Sequence, residues 1–166
     1  MKLHIGCGKK YMKGWVNIDV NPRLKTDLCI DVDKGLPFDD SSVTEVKMHH
    51  SLEHVKGYLQ FIEELYRVCT KDALWHITVP YVTSSHMNMV NPYHHTHFNE
   101  FSFDFFNPKK LRGSAHEMNS AKLNVVSFDL TYFPESRHLT KEEKEFARRH
   151  YWNVVSQVHF KIKVIK

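Results

Sequence analysis

No run in this sequence is long and apolar enough to cross a bilayer, and Met1-Lys2-Leu3-His4 is not the start of a secretory signal. No C-x-x-C pair occurs. Cys7, Cys29 and Cys69 form an odd, scattered set, which argues against a disulfide framework and for reduced thiols in a cytosolic compartment. Internal repeats, low-complexity tracts and linker-like segments are lacking too. The 166 residues therefore read as one domain, 1–166, long enough for a sheet-based core with little room for an accessory domain. A large excess of one charge is also missing; the net charge of +4 does not by itself argue for nucleic acid. What the chain has in quantity is histidine, 13 residues, most of them between His49 and His97. That stretch is where chemistry is to be sought.

The hydrophobic pattern predicts strands over Lys2–Ile5, Trp15–Val20, Asp27–Val32, Glu45–His50 and Ala73–Val79. The clearest helix runs from Val55 to Cys69, where Val55, Tyr58, Leu59, Ile62, Leu65, Tyr66 and Cys69 recur at helical spacing. A short helix is expected over Asn99–Phe106, with its phenylalanines mostly core. Two alternating strands close the chain, around Val126–Tyr132 and Val158–Val164. Between them Thr140-x-x-Glu143 is a capping box opening a polar helix to about Trp152. This order implies an α/β fold, Rossmann-like, with a mostly parallel sheet and an antiparallel edge.

One property departs from a three-layer sandwich. Lys2 and His4 alternate with Leu3 and Ile5, Asn17 and Asp19 with Val16 and Ile18, Glu45 and Lys47 with Val46 and Met48. Strands buried on both faces read as continuous apolar runs instead. Nine residues separate the first two strands, too few for a crossover helix. One sheet face is therefore expected to lack its full helical layer and to meet solvent or a second subunit, which allows a homodimer through that polar face.

A strand, the turn Gly6-Cys7-Gly8 and a second strand ending in Asp19 form a nucleotide-site arrangement. Glycines admit close backbone approach, and a carboxylate can accept from both ribose hydroxyls. Tyr11 stands where the third glycine of a dinucleotide fingerprint belongs, and Asp19 follows Gly8 by only 11 residues. Both disfavour NAD. Asp19 and Asp31 also have a plainer reading as strand-end turn carboxylates.

Leu3-His4-Ile5-Gly6-Cys7-Gly8 with Gly14-Trp15-Val16-Asn17-Ile18-Asp19 resembles the first two motifs of class I S-adenosylmethionine-dependent methyltransferases, above all a compact, type 11-like subgroup. Asp31-Val32 with Leu36-Pro37-Phe38-x-Asp40-x-Ser42 is similar to that family's adenine loop. His49-His50-Ser51-Leu52-Glu53-His54 is similar to its S-H-x-L-E-H-type motif, with His49 in place of the serine. Tyr66-Arg67-Val68, Val79-Pro80 and Asn91-Pro92-Tyr93-His94 with His97-Phe98 follow in the family's order, so the resemblance spans roughly residues 3 to 106. It implies S-adenosylmethionine as cofactor. Gly6, Cys7 and Gly8 would line its methionine part, Asp19 and the adjacent Val20 its ribose, Asp31 and Val32 its adenine, and His49 with His50 its sulfonium.

Methyl transfer needs alignment and, for a hydroxyl or ammonium acceptor, removal of a proton, which suits a histidine. The candidates are His50 and His54 after the fourth strand and His94 and His97 after the fifth, with His97 or His94 as base and His50 or His54 as partner. The cleft at the carboxyl ends of an open α/β sheet lets these groups converge. An Asn/Asp-Pro-Pro-Tyr run and a Pro-Cys after the fourth strand are both absent. With the modest basicity, the resemblance to related short enzymes implies a small molecule or a carbohydrate as acceptor, with nucleic acid and membrane disfavoured. Two rival readings stand beside this one. The first is a non-catalytic cofactor-binding or interaction module. The second is a zinc or iron hydrolase on the His94-His95-x-His97 cluster, which the methyltransferase motifs make unnecessary; no metal ligand is assigned.

Overall fold

The computed structural model describes residues 1–110 and 118–166. Seven strands form one sheet: β1 (Lys2–Ile5), β2 (Val16–Asp19), β3 (Leu28–Cys29), β4 (Val43–His49), β5 (Cys69–Pro80), β6 (Leu123–Tyr132) and β7 (Val155–Val164). Their order is β3-β2-β1-β4-β5-β7-β6. Strands β1 to β5 pair in parallel, while β7 runs antiparallel to both β5 and β6. The mostly parallel sheet with an antiparallel edge thus forms as its pattern predicts. The chain steps outward from β1 to β3 and then returns to β4, so the order reverses between β1 and β4. Open sheets bind ligands beyond the strand ends at such a reversal.

Among the described residues three α-helices accompany the sheet: α1 (Tyr58–Val68), the single turn α2 (Ser85–Asn88) and α3 (Lys141–His150). The capping box forms, with the Thr140 hydroxyl accepting from the Glu143 N–H and the Glu143 carboxylate accepting from the Thr140 N–H. No described helix is long and apolar enough to cross a membrane. Several boundaries differ from the expectation. The third strand shrinks to two residues because the carboxylates at its flanks serve other contacts: Asp27 accepts from the Asn17 backbone and side chain, and Asp31 caps a 3₁₀ turn over Val32–Lys34. The expected helix over Asn99–Phe106 is reduced to a 3₁₀ turn at Asp104–Phe106. Asn99 there accepts from the Phe101 N–H in a local turn that competes with helix.

The apolar face of the sheet carries Leu3, Ile5, Val46, Met48, Trp75, Ile77, Phe160 and Ile162, all buried. Phe61, Ile62 and Leu65 of α1 and the aromatic group Phe98, Phe103 and Phe106 complete this core, with the Phe103 ring 4.9 Å from that of Phe160. Each such side chain contributes about 1.5–3 kcal/mol by leaving water. Of the four phenylalanines in Asn99–Phe106 expected to be mostly core, Phe101 is largely exposed and Phe105 lies near the surface.

The opposite face is polar and, among the described residues, lacks a full helical layer. One register row across it reads His4, Lys47, His76, Lys161 and Ser127. Ten residues join β1 to β2 and eight join β2 to β3, and neither connection holds a helix. Glu45 and His76 remain about a quarter exposed, at 25% and 28%, and Glu45 pairs with Lys2 at 2.6 Å. His4 is buried, however, because the β1–β2 loop folds over this end of the sheet. Buried Asn17 holds that loop. Its amide donates to the Met12 and Trp15 carbonyls, and its oxygen accepts from the Met12 N–H at 2.8 Å. One fully satisfied asparagine does here what a crossover helix would do elsewhere.

Candidate functional site

At the carboxyl ends of β1, β2 and β4 lies a cavity of about 490 Å³, within the range of small-molecule sites. Gly6, Cys7, Gly8, Asp19, Val20, Asp31, Val32 and His49 all line it, as do His50 and His54. His94 and His97 do not. His94 stands behind His54, their ring centroids 4.7 Å apart, and His97 is exposed. The wall also includes Lys10, Ile30, Ser51 and Val55, which the sequence reading did not single out.

The glycine turn has two separate reasons for its composition. Gly6 has φ +65°, and a Cβ there would sit 2.2 Å from Ser51 Cβ, so its space is taken by the protein itself. Ser51 is fixed in place by donating to the Ile5 carbonyl at 3.0 Å. Gly8 has φ +54°, and a Cβ there would meet no protein atom within 4 Å. The space beside Gly8 is open for a ligand. Two amides of the turn are already engaged: Cys7 N–H donates to the Ile18 carbonyl at 3.0 Å and Gly8 N–H to Asp19 Oδ2 at 2.9 Å. Burial, with Asp19 nearby, pushes the Cys7 thiol up, so it stays neutral and unreactive.

Asp19 also accepts from the Asn21 N–H through Oδ1 at 3.0 Å. It is a turn carboxylate, but this does not exhaust it, since a carboxylate has about four acceptor sites. Asp31 accepts from the Asp33 N–H at 3.1 Å, and Asp33 in turn accepts from Lys56 and Gly57 at the start of α1. The loop after β3 is thereby tied to the first turn of the main helix. Arg67 anchors the next loop from the other end of α1, pairing with Glu64 and Asp40 and donating to the Leu36 carbonyl. The Tyr66-Arg67-Val68 motif is in this sense structural.

Beyond the glycine turn the cavity wall turns to imidazole. His50 adopts φ +52° at the end of β4 and hydrogen-bonds Gln157 through Nε2 at 2.9 Å. Its Nδ1 lies 3.4 Å from Glu53 Oε1, too poorly aligned for a hydrogen bond yet close enough to favour the cation. Glu53, opposed by burial and helped by Gln157, raises the His50 pKa. His49 is pushed the other way by burial and by the neighbouring His50. His54 Nδ1 contacts the Tyr93 carbonyl at 3.2 Å; a proton on that nitrogen leaves Nε2 as the free lone pair. Glu53 itself is fully buried, and neither carboxylate oxygen has a hydrogen-bond partner. The sequence reading gave it no role. The available signal was an acidic residue inside the densest histidine run.

No family model matches the sequence, and no curated protein does. Solved structures do match. A methyltransferase dependent on S-adenosylmethionine from Archaeoglobus fulgidus superposes with TM-score 0.66 at 14% identity, covering 98% of this chain and 85% of that one. A chain from the complex of the Haloferax volcanii Trm112 methyltransferase activator with a methyltransferase gives 0.62 at 16% identity, covering 98% and 81%. The [4+2]-cyclase SpnF gives 0.61 at 13% identity, covering 99% and 75%. The fold is that of the class I S-adenosylmethionine-dependent methyltransferases. The cyclase shows that this fold also carries other chemistry.

Proposed function

We propose that this chain binds S-adenosylmethionine in the cleft and transfers a methyl group to an oxygen or nitrogen of a small molecule or carbohydrate. One observation carries the reading: the glycine turn, Asp19, Asp31-Val32 and His49-His50, scattered over the first 50 residues, line a single cavity at the reversal of strand order. The residues present fit the cofactor. The open space at Gly8 admits a close ligand, Asp19 keeps acceptor capacity for ribose hydroxyls, and Ile30, Val32 and Val55 offer apolar surface for adenine. Lys10 on the same wall suits the cofactor's carboxylate.

When bound, S-adenosylmethionine supplies an activated methyl on sulfur; alignment and proton removal fall to the protein. His50, His54 and His94 beside Glu53, with His97 further along the His94 segment, are the groups through which the chain would accept a proton from the acceptor. Burial holds the His94 pKa down, while Glu53 and Gln157 raise that of His50 against the effect of burial. The two roles differ as an acid and a base should.

A non-catalytic cofactor-binding module is the second reading; the cyclase among the structural neighbours supports only that this fold is not tied to methyl transfer. Calorimetric titration of S-adenosylmethionine and S-adenosylhomocysteine into wild type and Asp19→Ala tests the binding. Loss of a charge-assisted ribose contact weakens it by about 1.5–3 kcal/mol. Unchanged affinity would move Asp19 out of the site. Labelled methyl transfer to a crude acceptor pool separates the enzyme from the binder, which would show none.

A further inference from the structure

The buried carboxylate of Glu53 is the least explained group in the molecule. Its side chain is 1% exposed, both oxygens lack a hydrogen-bond partner, and the nearest cationic group is His50 Nδ1 at 3.4 Å. An ion taken from water without full compensation costs several kcal/mol. A second unpartnered buried atom lies beside it: His94 Nδ1. The two belong to one cluster. Ligand-capable atoms of Glu53, His54 and His94 all lie within 4.8 Å of one another.

We propose that Glu53, His54 and His94 form a binding site for a divalent transition metal of the zinc type at the rim of the cleft. Two imidazoles and one carboxylate are a borderline donor set, suited to zinc or its neighbours over magnesium or calcium. Donors around a four-coordinate zinc stand about 3.3–3.5 Å apart, so the cluster needs only a small inward rotation of its side chains. The backbone already fixes the parts. Glu53 and His54 share one 3₁₀ turn, Leu52–His54. The N–H groups of His95 and Thr96 both donate to the Glu53 carbonyl, at 2.8 and 3.4 Å, which pins the His94 loop against that turn. The contact of His54 Nδ1 with the Tyr93 carbonyl is the outer-sphere bond that orients a metal-binding histidine and frees its Nε2.

Three protein ligands leave a fourth position open, as in catalytic rather than structural zinc sites. His54 also lines the cofactor cavity, so that position adjoins the space an acceptor enters. An acceptor hydroxyl held there would lose its proton to solvent at lower pH than it does unbound. This role rests on the methyl-transfer reading and takes the place of proton acceptance by His54 and His94, whose free lone pairs would go to the metal; the site itself does not rest on that reading. The sequence reading assigned no metal ligand, and this trio differs from the His94-His95-x-His97 run considered there, since His95 and His97 are exposed and outside the cluster.

The test is calorimetric titration of zinc chloride into chelator-stripped full-length protein, followed by S-adenosylhomocysteine titration into the same samples. One zinc per chain is expected. His94→Ala and Glu53→Gln should each weaken it at least about tenfold, while His95→Ala leaves it unchanged. S-adenosylhomocysteine affinity retained in His94→Ala excludes collapse of the fold as the cause. Absence of stoichiometric zinc binding in wild type, or equal weakening in all three variants, overturns the site. Zinc binding without S-adenosylhomocysteine binding would uphold the site and remove the methyl-transfer reading alone.

Discussion

Replacing Gly6 by alanine probes how the glycine turn is built, because two independent penalties meet at one atom. The φ of +65° places alanine in the left-handed region, at about 1–2 kcal/mol. The added Cβ would also sit 2.2 Å from Ser51 Cβ and 2.8 Å from Ser51 Oγ. Rotating the hydroxyl relieves only the second contact, since Cβ moves with the backbone; the turn after β4 must shift, an overpacking of about 1–3 kcal/mol. Gly6→Ala should therefore lose about 2–5 kcal/mol. Ser51→Gly alone loses its hydrogen bond to the Ile5 carbonyl and gains unfolded-chain freedom, together about 1–2.5 kcal/mol. In the double variant the clash disappears while the dihedral penalty stays. Urea denaturation of the four proteins should give a coupling of about 1–3 kcal/mol in favour of the pair. A coupling within about 0.5 kcal/mol of zero would refute the reasoning and make the glycine a matter of φ alone.

The Tyr11 hydroxyl and the backbone and side chain of Asn17 all donate to Asp27, and they hold its carboxyl below the usual range, the Asn17 backbone foremost. A depressed folded-state pKa gives stability that is present above the unfolded value, about 3.9, and lost as pH falls through the lower one. Urea midpoints of wild type and Asp27→Asn should differ at neutral pH and converge below about pH 4; a gap constant down to pH 2.5 would contradict this. Glu100 is buried between Arg148 of α3 and the Tyr81 hydroxyl, which donates to it at 2.7 Å. Arg148→Ala should cost about 3–5 kcal/mol by stranding that charge, and adding Glu100→Gln should recover part of it in the same denaturation assay. Recovery of none would mean that the loss lies in packing.

Much of the fold was legible because period-two alternation and one strongly amphipathic helix leave few arrangements open. Leu3 and Ile5 against Lys2 and His4 announced a sheet with one polar face before any helix count did. What the pattern missed were the places where a side chain outcompetes the backbone. Asp31 and Asn99 cap local turns and so shorten the strand and helix that contain them. His4 belongs by period to the open face yet is buried, because Asn17 draws a loop over it, and such a long-range hydrogen bond leaves no periodic trace. At the candidate site the residues that line the cavity around the glycine turn could be read in advance, since a turn followed by a strand-end carboxylate is local in sequence. The cluster beside it could not. Glu53 meets His94 across 40 intervening residues, and only the folded chain shows its carboxylate without a partner.

The central claim is that the cavity at the strand reversal is an adenosyl sulfonium site. A crystal structure determined with S-adenosylhomocysteine tests it most directly. The account predicts the ribose on Asp19, the adenine against Val32 beside Asp31, and the sulfur facing His49 and His50. Density for the compound anywhere else, or a cleft left empty at saturating concentration, would contradict it.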